Sequence, residues 1–301
     1  MMGKSYTYYP GCTSRSSSAH LEKSLRAIAP KLGMELNEIE DWNCCGTSVG
    51  HIAEGRLPNA ALSARNLALA KDFGEGDVVT ACAACYIHTH DANEQIREDD
   101  AFKADLNEAL AEAGQSYDGS LLVRHVCEVL VKDVGLDTIK AQVTNPLTGL
   151  KVAGWTGCQT VRPFAATQRG GMFDQFDDPK FMRDFIEVCG AEAVEFANNT
   201  SCCGGAVAVI SPQKSLQLMK TILDEAQARE VDCVATPCPL CQQNLEMYQD
   251  RINKEFGTNF QIPVVFYSQL MAVAFGLNPK TEAALNQNMI PATKLVELGL
   301  G

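Results

Sequence analysis

Short apolar runs alternate with longer periodic stretches along the chain. YTYYP (6–10), DVVTA (77–81), KVAGW (151–155) and DCVAT (232–236) are brief, carry β-branched or aromatic residues, and end at cysteine-bearing loops. Such runs predict buried strands. The longer segment SPQKSLQLMKTILDEAQARE (211–230) sets Leu216, Met219, Leu223 and Ala226 on one stripe at helical spacing. Ser211 stands where it can cap that helix, and Pro212 suits its first turn. PNAALSARNLALAKDFG (58–74) is the counterpart, with Pro58 at its start and Gly74 at its end. Strands alternating with helices predict an α/β fold built on small, mainly parallel sheets flanked by helices. The cysteines fall where strands run out into loops, the usual position of sites in open α/β sheets. Tyr6, Tyr8 and Tyr9 on the first strand predict core packing.

The cysteines carry a repeat. Gly11–Cys12 is followed after 31 residues by Cys44–Cys45–Gly46, and 36 residues separate Cys45 from the Cys82–Ala83–Ala84–Cys85 hook. The pattern recurs as Gly157–Cys158, then 43 residues, Cys202–Cys203–Gly204, and 34 residues before Cys238–Pro239–Leu240–Cys241. TACAAC (80–85) matches TPCPLC (236–241) at an offset of 156. Five cysteines in one order, written twice, predict two related, pseudo-symmetric domains, 1–148 and 149–301. The break falls in GLDTIKAQVTNPLTGL (135–150), which is rich in turn signals. KVAGWTGC then mirrors SYTYYPGC near the start.

Composition narrows the setting. With 25 Lys and Arg against 37 Asp and Glu, the formal charge is −12. That balance argues against non-specific nucleic-acid binding and against docking on an anionic membrane. VVFYSQLMAVAFGL (264–277) is too short to span a bilayer and carries Ser268 and Gln269, so no membrane insertion is expected. The N-terminal residues show no export signal, and a cytoplasmic, reducing location is expected. There, thirteen cysteines, an odd number, point to metal or redox chemistry rather than a disulfide framework.

The spacing limits that chemistry. Consecutive side chains diverge, so Cys44 and Cys45 do not easily ligate one tetrahedral metal, but they readily reach two irons of a cluster. The glycine after each pair permits a positive φ or a close backbone approach. A CxxC hook suits iron–sulfur or zinc ligation. Five thiolates exceed the four of an ordinary [4Fe–4S] cube, so either one bridges two irons or one is not a ligand. Zinc in one domain is the main alternative. A thioredoxin-like dithiol at each CxxC leaves the CCG segments unexplained. No GxGxxG motif for flavin or nicotinamide is present.

This pattern resembles the CCG-domain proteins, and two copies in about 300 residues resemble the B-type subunit of heterodisulfide reductase over residues 5 to about 275. The resemblance implies two non-cubane [4Fe–4S] clusters. One would be held by Cys12, Cys44, Cys45, Cys82 and Cys85, the other by Cys158, Cys202, Cys203, Cys238 and Cys241. It implies an enzyme subunit that cleaves or forms a disulfide: the coenzyme M–coenzyme B heterodisulfide, or a related thiol, lipoate-bound or carrier-bound sulfur. A non-catalytic electron-transfer module is the other reading. Partners would be a ferredoxin-like iron–sulfur subunit and a flavin-containing one. Gly157–Cys158–Gln159–Thr160–Val161–Arg162–Pro163 resembles the family's stretch around this cysteine, except that Gln159 stands where the methanogen proteins have histidine.

Catalytic candidates are Cys12, Cys158, Arg162 and His51. Arg162 offers a bidentate contact to a substrate carboxylate or phosphate, and His51 follows the first CCG segment. All five histidines (His20, His51, His88, His90 and His125) lie in the first half, so no second-half side chain offers a proton donor of near-neutral pKa. His88 and His90 are expected on a solvated helix face. Cys127, Cys189 and Cys233 are expected as buried packing residues.

Overall fold

In the computed structural model, residues 3–47, 55–74, 76–161 and 174–301 are described. The first half runs β1 (Lys4–Tyr9), α1 (Ala19–Ile28), β2 (Met34–Glu38), α2 (Arg56–Phe73), β3 (Val78–Thr80), α3 (Ala83–Glu98), α4 (Asp100–Ala111), β4 (Val123–His125), α5 (Val126–Val129) and α6 (Leu136–Gln142). The second repeats that order: β5 (Lys151–Gly154), α7 (Phe181–Val188), β6 (Glu192–Val194), α8 (Pro212–Ala228), β7 (Cys233–Thr236), α9 (Pro239–Met247), α10 (Gln249–Phe256), β8 (Val264–Phe266), α11 (Tyr267–Ala274) and α12 (Thr293–Leu298).

The strands form two four-stranded sheets, ordered β2-β1-β3-β4 and β6-β5-β7-β8, and every pairing is parallel. A parallel sheet is covered on both faces, so its central strands read as apolar runs. Tyr6, Tyr8 and Tyr9 are buried, as are all four residues of β7. β1 and β5 pair with strands that leave in opposite directions along the sheet. A crevice therefore opens above the strand ends between β1 and β3, and between β5 and β7. Cys12 and Cys82 follow the first pair of strands; Cys158 and Cys238 follow the second.

The four strands expected from sequence are β1, β3, β5 and β7, the inner two of each sheet. β2 and β6 are edge strands with exposed or half-buried positions and β4 carries Arg and His, so none of these gives a strong apolar signal, whereas β8 lies at the start of the apolar run 264–277. The stripe Leu216, Met219, Leu223 and Ala226 is buried as expected. Ser211 precedes α8, but its side chain makes no capping bond. The expected break at 135–150 is in part helical, because α6 occupies Leu136–Gln142 and only 143–150 connects the halves.

The halves are not separate bodies. α1 packs along α11, with Ser24 and Ser268 hydroxyls 2.7 Å apart across the contact. His20 on α1 stacks against Phe266 at 4.9 Å. One continuous apolar core draws on both halves, joining Leu21, Leu25 and Ile28 to Phe185, Leu270 and Met271. This shared core fixes the two crevices relative to one another.

Candidate functional site

Each cysteine set is assembled from three strand ends. Gly11 has φ +78° and Gly157 +73°, and a Cβ at either would stand 2.7 Å from Cys85 Sγ or 3.2 Å from Cys241 Sγ. Glycine is required there because another sulfur occupies the space. The aromatic residue ending each leading strand holds the next loop. Tyr9 Oη donates to the Asn43 carbonyl at 2.8 Å, and Trp155 Nε1 donates to the Ser201 carbonyl at 3.1 Å, each just before a Cys–Cys pair. Gly46 and Gly204 follow those pairs with φ +89° and +75°.

The CxxC hooks open helices. Cys82 and Cys238 are the N-cap residues of α3 and α9, both in extended conformation. Their amides face the Thr80 and Thr236 hydroxyls at 3.4 Å. Cys85 and Cys241 lie three residues on, in the first turn, where the helix dipole favours negative sulfur.

The ten sulfurs form one string. Cys12 Sγ lies 3.7 Å from Cys44 Sγ. Cys44, Cys45, Cys85 and Cys82 follow in an order in which each acts on the proton affinity of the next. Cys82 and Cys238 of the other half act on one another's proton affinity in the same way. From there the order mirrors itself: Cys238 to Cys241, Cys241 Sγ to Cys203 Sγ at 3.6 Å, Cys203 to Cys202, and Cys202 to Cys158. Cys12 is exposed and Cys44, Cys158 and Cys202 are half-buried; the six inner thiols are buried. The two sets thus act on one another at their inner ends and reach solvent at their outer ends.

Protons are unevenly spread along the string. The thiol of Cys44 is held down at about 2 by the bonds it accepts from Cys12 and Cys45 and by the Gly46 amide. Cys202 is held at about 2 by Cys158, Cys203 and the Gly204 amide. Cys12 and Cys158 are pushed up as the donors to those thiolates, and Cys45 and Cys203 rise to about 12 for the same reason. Cys238 is held low by bonds from Cys241 and Cys82 and by the first amides of α9.

Other groups act on the sulfurs. Asn244 Nδ2 donates to Cys203 Sγ at 3.5 Å. His88 occupies the equivalent place on α3, three residues after its hook, and its charge bears on Cys44. Sequence reading singled out neither for this role, although a residue three positions beyond a CxxC on a helix shares its face. His90, expected on a solvated face, is buried beside Tyr86 at 5.6 Å, because α3 is covered by α2 and α4. Burial holds the His20 and His125 rings at about 4, below the ordinary histidine range. The halves do meet beside the second hook, where Ser18 Oγ donates to the Pro239 carbonyl at 3.4 Å. Cys127, Cys189 and Cys233 are buried, away from the string. His51 and Arg162 lie outside the described residues.

The profile of the cysteine-rich domain family, CCG, matches residues 6–89 and 152–246, the two segments that carry the repeat. The chain is 31% identical over 299 residues to the B-type subunit of the ferredoxin/F(420)H(2)-dependent CoB-CoM heterodisulfide reductase of Methanosarcina acetivorans, covering 97% of each chain. It belongs to the family of heterodisulfide reductase B-type subunits. It is also 34% identical over 294 residues to the 8-methylmenaquinol:fumarate reductase membrane anchor subunit of Wolinella succinogenes, covering 98% of this chain and all of that one. A crystal structure of a hypothetical protein from Helicobacter pylori shares the fold, with a TM-score of 0.72 at 15% identity over 95% of this chain and 52% of that one. Among the described residues, no helix is long and apolar enough to cross a membrane.

Proposed function

We propose that this chain is the catalytic iron–sulfur subunit of a heterodisulfide-reductase-type complex, an oxidoreductase that cleaves or forms a disulfide. Each cysteine set would hold one non-cubane [4Fe–4S] cluster. The observation that carries this reading is the gathering of all five cysteines of one set around a single cavity. The donor set fits such a group. A cavity of about 140 Å³ is lined by Cys158, Cys202, Cys203, Cys238 and Cys241, all five cysteines of the second set. Five thiolates around one cavity exceed the four of a tetrahedral zinc site and suit a multinuclear cluster.

Disulfide reduction takes two electrons and two protons and yields two thiols. Bound clusters supply electrons one at a time. The chain's own groups do the rest. The buried inner sulfurs exclude water from the seam between the sets. The outer ends at Cys12 and Cys158 are where substrate sulfur can approach. Gln159, half-buried beside Cys158, offers both a donor and an acceptor there. Arg162 and His51 are proposed to bind a substrate anion and to supply a proton. Electrons arrive from a ferredoxin-like subunit and a flavin-containing one, in a cytoplasmic complex.

A second reading rests on the Wolinella relative, which matches along its whole length. In it the same unit relays electrons within a quinol-linked assembly without a free disulfide substrate. Anaerobic purification followed by iron, sulfide and zinc analysis, and EPR with and without a small disulfide, separates the readings. Catalysis predicts cluster signals that change on adding disulfide; a relay predicts signals that do not. Zinc without sulfide overturns both.

A further inference from the structure

The loops that carry Cys12 and Cys158 are alike in length and unlike in how they are held. Tyr9–Pro10–Gly11–Cys12 matches Trp155–Thr156–Gly157–Cys158, and Asp41, three residues before Cys44, matches Asn199, three residues before Cys202. In the second half these positions are joined. Asn199 Oδ1 accepts the Thr156 amide at 3.0 Å, its carbonyl accepts the Gly157 amide at 3.0 Å, and its Nδ2 donates to the Pro179 carbonyl at 3.1 Å. Thr156 is fully buried, so its amide needs an acceptor within the protein. The segment before Asn199 is itself fixed, because Glu225 on α8 accepts the Ala197 and Asn198 amides at 2.8 and 2.9 Å. One residue thus ties the Cys158 loop to the Cys202 loop, and both to the segment leading into α7.

The first half cannot make the same tie. Pro10 stands where Thr156 does and has no amide hydrogen. Asp41 has φ +55°, and its carbonyl and carboxylate both accept from Arg65 on α2, the carbonyl at 2.6 Å. The Cys12 carbonyl stays within its own turn, accepting the Arg15 amide at 3.2 Å and the Ser16 hydroxyl at 3.0 Å. Cys12 is exposed, whereas Cys158 is half-buried.

We propose that Asn199 is a positioning residue that locks the outer sulfur of the second set in place, and that Cys12, which lacks this lock, is the outer sulfur that gives way to an incoming small thiol. The inference rests on the reading that each set holds an iron–sulfur cluster. In the exchange one thiolate takes the place of another: the incoming thiol gives its proton to the departing Cys12 sulfur, and no electron moves. Of the two ends of the sulfur string, substrate sulfur then enters at the first.

The tests use the whole chain, loaded and kept anaerobic, with iron and sulfide measured on each sample. EPR spectra are recorded with and without 2-mercaptoethanol, and Cys45→Ala, which removes a first-set thiol, identifies the second centre's signal. The thiol should shift the first centre's signal and leave the second's in place. In a separate arm the loaded protein is treated with iodoacetamide, and each cysteine peptide is followed by mass spectrometry. Asn199→Leu and Thr156→Pro each remove the Thr156–Asn199 bond, the latter by copying the first half. Both should raise the labelling rate of Cys158 roughly tenfold, the change that loss of one hydrogen bond permits, with that of Cys12 unaltered. Asn199→Asp keeps the acceptor oxygen and should keep Cys158 protected. A thiol that shifts the second centre's signal in the unmodified protein, or leaves the first's in place, overturns the inference, and that result needs no variant at the lock to fold. Unchanged Cys158 labelling in both Asn199→Leu and Thr156→Pro, with iron and sulfide retained, also overturns it. So does Asn199→Asp behaving like Asn199→Leu. Absence of sulfide from the unmodified protein overturns instead the cluster reading beneath it.

Discussion

Three glycines with similar backbone angles allow backbone strain to be separated from room for sulfur. Gly33, Gly157 and Gly11 have φ of +67°, +73° and +78°. A Cβ at Gly33 would meet nothing within 4 Å, at Gly157 it would stand 3.2 Å from Cys241 Sγ, and at Gly11 2.7 Å from Cys85 Sγ. Alanine pays the left-handed penalty at all three, about 1–2 kcal/mol. Gly33→Ala should therefore lose about that much stability and keep all its iron. At Gly11 the new methyl overlaps the Cys85 sulfur, which must rotate away to make room. In cluster-free protein that rotation is available, so Gly11→Ala should unfold in denaturant much like Gly33→Ala. In loaded protein the first set should lose its iron, about half the total. Gly157→Ala, where a few tenths of an ångström suffice, should fall between. The assays are urea unfolding of the cluster-free forms and iron per chain of the anaerobic forms. Full iron retention in Gly11→Ala, or equal iron loss in Gly33→Ala, would refute the idea that these glycines make room for ligand sulfurs.

Other outcomes follow from the same geometry. Cys44→Ala and Cys203→Ala should each remove only their own set's iron, since neither residue belongs to the Cys82–Cys238 pair that joins the sets; loss of all iron from either would indicate one shared site. Asn244→Leu removes the N–H donated to Cys203 and should alter the second centre's EPR signal while iron content holds, as judged by parallel spectra and metal analysis. Asp133 is held far below its ordinary 3.8 chiefly by bonds from Arg124, so its stabilisation is complete above pH 4 and is lost as pH falls further. Asp133→Asn should destabilise the cluster-free protein by about 2 kcal/mol at pH 7 and by progressively less below pH 4 in urea titrations.

What could be read from the sequence depended on whether a feature was local. A glycine before a cysteine, a Cys–Cys pair and a CxxC hook report their own surroundings. Their duplication reported the two-sheet plan, including the inner strands that end at the cysteines. The edge strands were not legible, because Met34–Glu38 and Glu192–Val194 are held by a neighbour on one side only and carry polar residues on the open face. Nor was the link between Cys82 and Cys238. It depends on how α1 packs on α11, through Leu21, Leu25 and Ile28 against Leu270 and Met271 around the Ser24–Ser268 contact, which no motif announces. The burial of His90 escaped for the same reason: covering helices belong to the tertiary structure, and the polar sequence HTHD gives no hint of them.

The duplication supplies the geometry, and the differences between the copies give it direction. Equal halves would hold two equal centres, and electrons would have no preferred end. The sulfurs obey the symmetry, but the residues behind them do not. Tyr9 stands opposite Trp155, His88 opposite Asn244, and His125 opposite Phe266. These exchanges change the side chains around the cysteine loops while leaving the backbone frame intact. Polar groups near ligand sulfurs shift the balance between oxidised and reduced states more readily than they shift the fold. In a doubled fold, then, the positions that match in geometry and differ in chemistry are where two clusters, if each set holds one, would be made unequal.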